Sequence, residues 1–147
     1  MPKLFNTSLI AVLIATLVFF AIGAVWYGPL FEAQWLNAAG MTQEQAQAHM
    51  TQMGIPVWLF WALMITAAQA IGVLMVIHKN GAKRMKACLE TTFWVLITLV
   101  GPVLAYTSIY QGLSLTGFLI DFGHLFIGYM TCAAIYALFR GKDAIDA

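Results

Sequence analysis

His78-Lys79-Asn80-Gly81-Ala82-Lys83-Arg84-Met85-Lys86 separates two long apolar runs and holds more than half of the positive charge of the chain. The other basic residues are Lys3, ahead of the first apolar run, and Arg140 and Lys142, after the fourth. The two remaining connections, 28–55 and 111–117, carry no Lys or Arg at all. Basic segments resist translocation, so a connection rich in Lys and Arg stays on the cytoplasmic side while uncharged ones cross. The split of seven basic residues against none therefore predicts four transmembrane helices with both termini and the Lys79–Lys86 turn in the cytoplasm.

Composition leads to the same class by another route. The chain of 147 residues is 62% hydrophobic and 9% charged. A water-soluble domain of this size would expose too much apolar surface, whereas a bilayer solvates it directly. The expectation is an all-α membrane protein, a single domain over 1–147 with helices near 6–27, 56–78, 86–110 and 117–140. It would sit in the inner (plasma) membrane as a multi-pass protein, with the lipid bilayer as its constant partner. The small residues after Lys3 resemble a signal-peptide cleavage site, but Leu9–Tyr27 is long enough to span and reads as a retained helix.

The connection 28–55 has its own pattern. Phe31, Trp35 and Leu36 share one helical face, with Gly40 as a stop. Thr42 and Gln45 have the spacing of a capping box, in which a hydroxyl and a side-chain amide satisfy each other's free backbone groups. Two short amphipathic helices follow, lying on the outer surface or folded over the mouth of the bundle. Gly28-Pro29 is expected to stop the first span, and Pro102, which cannot donate to the carbonyl of Thr98, to bend the third.

Candidate chemistry lies in the fourth run. At about 100° per residue, Asp121, His124, Gly128, Thr131 and Cys132 fall within an arc of roughly 100°, and an acid and an imidazole three apart on a helix can touch. Ionisable groups inside a span should face the bundle interior or a wet cavity. Counting about 1.5 Å per residue from the outer ends puts Thr16, Thr66, Gln69 and Thr98 at the depth of His124 and Gly128. These residues form an expected polar pocket with Asp121 and His124, to which Tyr129 also belongs. Hydroxyls, amides and glycines are also common between membrane helices as packing groups. Cys88 and Cys132 read as small packing residues, and Glu90 as the i,i+4 partner of Lys86.

Several function classes have no support. There is no extended basic face for nucleic acid, no Cys/His spacing for a metal and no nucleophile–base pair for an enzyme. His78 and His124 would lie roughly 20 Å apart along the membrane normal, too far to share a haem. No cofactor is expected. Two readings remain: a pocket that binds a small solute or handles protons, and a structural subunit or homo-oligomer that uses Gly23, Gly72, Gly101 and Gly128 for close helix contacts.

The run Trp26-Tyr27-Gly28-Pro29-Leu30-Phe31, with Trp35 and Gly40 behind it, resembles the signature of a bacterial membrane family, domain of unknown function 1761. Asp121 and Gly128-Tyr129 are similar to that family's C-terminal segment. The resemblance covers nearly the whole chain and implies a small multi-pass membrane protein, with no activity attached. His124 is not carried over from it and rests on its depth and neighbours alone.

Overall fold

The computed structural model describes residues 3–4, 7–112 and 114–143, with the side chains of Lys3, Gln111 and 140–143 outside that description. Seven α-helices follow a minimal hairpin of β1 (Lys3–Leu4) and β2 (Thr7–Ser8). They are α1 (Leu9–Val25), α2 (Glu32–Ala38), α3 (Gln43–Met53), α4 (Ile55–Lys79), α5 (Met85–Val95), α6 (Gly101–Gln111) and α7 (Leu115–Asp143). Four continuous helical stretches are long and apolar enough to cross a membrane: Leu9–Leu30, Ile55–Lys79, Met85–Tyr110 and Leu115–Phe139.

Local chemistry explains most boundaries. The first helix starts at Leu9, not at residue 6, because Ser8 caps it by accepting from the backbone N–H of Ile10 at 3.3 Å. Gly28-Pro29 does not end it cleanly. A five-residue π turn, Trp26–Leu30, carries the chain through Gly28, whose φ of −101° and ψ of −108° break the helix before α2. The capping box at α3 forms as the sequence predicts: Gln45 N–H donates to the Thr42 hydroxyl at 3.2 Å and Thr42 N–H to the Gln45 side chain at 2.9 Å. Gly40 closes α2 at φ +65°, a conformation that suits a residue without a β-carbon.

The third span holds a second π turn, Leu96–Val100, directly before Gly101-Pro102. The N–H of Gly101 reaches back to the carbonyl of Leu96, so the wider turn takes up the disruption that proline imposes. Thr91 and Ser108 are buried, whereas Trp94, ahead of the π turn, is 60% exposed and Thr98 and Pro102 also face outward.

The bundle is organised around α7, which packs against α1, α4, α5 and α6 and also receives α2. Its core lies toward the end that carries the Lys79–Lys86 turn, hereafter the basic end. There Ala11 and Ala15 of α1 meet Cys132 and Ala133 of α7, all fully buried. Spaced small residues let two backbones approach closely, which is how helices attract one another in a lipid solvent. Tyr136 adds a polar tie, its buried hydroxyl donating to the carbonyl of Ala70 at 2.8 Å. Cys132 sits beside the carbonyl of Ala15 at 3.8 Å, and both cysteines are buried and not joined in a disulfide. At the basic turn, the Asn80 amide donates to Thr91 at 2.7 Å and Lys86 pairs with Glu90 at 3.6 Å on the surface.

Large apolar side chains cover the outside: Ile65, Leu99, Val103 and Ile109 are 58%, 61%, 66% and 76% exposed. In water such a surface would aggregate. In a bilayer it is the expected lipid-facing side.

Candidate functional site

The site is built where the end opposite the basic turn folds over α7. Asp121 is the first ionisable residue of α7, one turn before His124. Its Oδ1 accepts two hydrogen bonds, from the Tyr27 hydroxyl at 2.8 Å and from the Trp35 indole N–H at 3.0 Å. The indole of Trp26 donates to the carbonyl of Ile120 at 2.9 Å. Three aromatic residues from the Trp26–Trp35 segment thus tie it to two adjacent residues of α7. The kink at Gly28 makes this possible, because Tyr27 comes from the end of the first span while Trp35 comes from the returning helix α2.

Glycines on α7 set the distance. A β-carbon on Gly123 would lie 3.0 Å from the Trp26 ring, and one on Gly117 would lie 3.2 Å from the β-carbon of Ala38. Further inward, the ring of Phe19 occupies the space that a β-carbon on Gly128 would need. Gly23 and Gly101 likewise face His124 and Phe122 at close range. These glycines serve contacts within the chain. Gly72 differs, for a β-carbon there would meet nothing within 4 Å.

His124 stands inside an aromatic enclosure. Its ring centroid is 4.9 Å from Tyr27, 5.3 Å from Phe19 and 6.5 Å from Trp26. The Nε2 atom is buried without a hydrogen-bond partner among the described residues, and a β-carbon on Gly23 would lie 3.1 Å from it. No hydrogen bond or ion pair joins Asp121 to His124, and no Lys or Arg pairs with Asp121, among the described residues. The carboxylate is held by neutral donors alone.

The single polar layer expected from depth is divided. Thr16, Thr66 and Thr98 each return their hydroxyl to a carbonyl four residues back in their own helix, Val12, Ala62 and Trp94, at 2.9, 2.8 and 2.6 Å. Thr16 is buried among the core helices, and Thr98 is exposed within the π turn. Gln69 and Tyr129 do not reach Asp121 or His124. They line a separate cavity of about 440 Å³ between α4, α5 and α7. Among the described residues no group of His, Cys, Asp and Glu is arranged to hold a metal.

The sequence missed the donors. Trp26, Tyr27 and Trp35 stood out as a motif and Asp121 stood out as an acid, but nothing in the periodicity joined them. A signal was present: an intramembrane carboxylate needs donors, and the other end of the resemblance supplied two, the Tyr27 hydroxyl and the Trp35 indole.

Four apolar spans, a lipid-like exterior and polar groups drawn inward define a multi-pass α-helical membrane protein. A family model described as protein of unknown function (DUF1761) matches residues 10–137, and the chain belongs to that family. In this chain the Trp26–Trp35 segment and Asp121 are the two sides of one hydrogen-bonded contact. No curated protein and no solved structure matches the chain.

Proposed function

We propose that the protein handles protons at Asp121 and His124, and that the Trp26–Ala38 segment responds to the charge on Asp121. The observation that carries this reading is a carboxylate bound by Tyr27 and Trp35 alone, beside an imidazole whose Nε2 is buried and unpartnered. Charge inside a span requires neutralisation. With no basic side chain in 28–55 or 111–117, the charge of Asp121 is met by a proton on the acid, on His124 or shared between them. A proton needs no cavity, whereas a solute would have to displace the rings of Phe19, Trp26 and Tyr27 around His124. This favours the proton over the solute. The reading is non-enzymatic, with both termini cytoplasmic, the protein in the inner membrane, and 28–55 outside, where the charge pattern puts them.

The mechanism follows from acceptor strength. Hydrogen bonds to an ionised acceptor are roughly twice as strong as neutral ones, so a proton on Asp121 loosens both ties from the outer segment. The test is the distance between nitroxides at Asn37 on α2 and Leu119 on α7, two exposed positions, in lipid nanodiscs. The distance distribution should lengthen or broaden on acidification and should not change with pH in Asp121→Asn. A wild-type distribution that ignores pH overturns the reading.

A scaffolding role is the second reading, favoured by the way Trp26, Tyr27 and Trp35 lock the outer segment. Because Gly23, Gly101 and Gly128 are occupied by internal contacts, such a role would rest on the Gly72 face.

A further inference from the structure

The cavity between α4, α5 and α7 lies about 15 Å from the basic end, counting ten residues back from Lys79 to Gln69, ten on from Met85 to Val95 and ten back from Phe139 to Tyr129. That depth is the middle of a hydrocarbon core about 30 Å thick. Its walls include Gly72, Val76, Val95 and Leu99, and two polar residues, Gln69 and Tyr129, line it as well. Neither has a hydrogen-bond partner among the described residues. The third polar residue there, Thr92, donates to the carbonyl of Cys88 at 2.9 Å and is already engaged. The π turn Leu96–Val100 forms part of the wall, and such turns recur where helices are shaped around a ligand.

We propose that this cavity binds a membrane-dissolved carbonyl compound of the quinone class. The cavity is bounded by spans and opens at the level of the acyl chains, so its ligand arrives through lipid and is mostly apolar. No charged residue lines it, so the ligand is neutral. The amide N–H of Gln69 and the hydroxyl of Tyr129 are donors in a medium without water, where an unmet donor is unfavourable. Phospholipid tails offer no acceptor at mid-bilayer depth, whereas a quinone ring offers two carbonyls. A volume of about 440 Å³ lies in the range of small-molecule pockets, which combine apolar walls with a few polar groups. Gly72 leaves the slot open: a β-carbon there meets nothing within 4 Å. The inference uses neither Asp121 nor His124 and stands apart from the proton reading.

The experiment is native mass spectrometry of the chain released from phosphatidylcholine nanodiscs after titration with decylubiquinone. One quinone per chain should bind saturably. Tyr129→Phe, which keeps the ring, and Gln69→Leu should each weaken binding roughly tenfold, the effect of one lost hydrogen bond. Gly72→Leu should abolish binding by filling the slot while leaving the thermal unfolding temperature unchanged. Thr98→Val, outside the cavity, should bind like wild type. Absence of saturable binding, or equal binding by all four variants, overturns the proposal. So does a chain dimer that excludes quinone and is broken by Gly72→Leu, which would assign the cavity to a second copy.

Discussion

The ring of Phe19 on α1 lies against the bare α-carbon of Gly128 on α7, in the place where any other residue would carry its side chain. The same ring touches His124 on one side and Tyr129 on the other, at centroid separations of 5.3 and 5.7 Å. Phe19 is 1% exposed. It therefore separates the Asp121–His124 region from the cavity near Tyr129 and closes the core between them.

Gly128→Ala should destabilise the bundle by about 1–3 kcal/mol, the usual effect of overpacking a filled interior. Phe19→Leu in the same chain should recover part of that loss by vacating the space. Unfolding in mixed micelles, followed by circular dichroism, measures both. An additive loss in the double variant would show that the ring and the glycine do not oppose each other.

The ties to Asp121 make a second prediction. Tyr27→Phe keeps the ring against His124 and removes only the donor, so it should lower stability by about 1.5–3 kcal/mol, typical for a hydrogen bond to a charged group. In Asp121→Leu the same change should have little further effect. A double-mutant cycle isolates the coupling, and a coupling of zero would mean that the 2.8 Å contact contributes nothing.

Topology is checked with single cysteines at Gln47 and Met85, both exposed, after Cys88 and Cys132 are replaced by alanine. An impermeant maleimide should label Gln47→Cys and spare Met85→Cys in intact cells. Equal labelling of both would contradict the charge-based orientation.

The spans, the capping box of Thr42 and Gln45 and the Lys86–Glu90 pair were legible because each depends on residues close in sequence. Depth was also countable, which is how Gln69 and Thr98 came to be grouped with His124. Depth does not fix which way a side chain turns about its helix, and Gln69 turns into a different cavity. Thr98 turns away as well, on the outward face it shares with Trp94 one turn earlier. The pairing of Tyr27 with Asp121 spans 94 residues and that of Trp35 spans 86. Contacts of that separation depend on how α1, α2 and α7 assemble, which is a tertiary property.

The central claim is that Asp121 and His124 share a proton-binding function. It is tested most directly by following the ring nitrogens of His124 by NMR in lipid across pH, in wild type and in Asp121→Asn. The account predicts that His124 titrates in wild type and that its midpoint moves when the carboxylate is neutralised. Superimposable curves would show the two side chains to be uncoupled, and Asp121 would then be a structural anchor for Tyr27 and Trp35 alone.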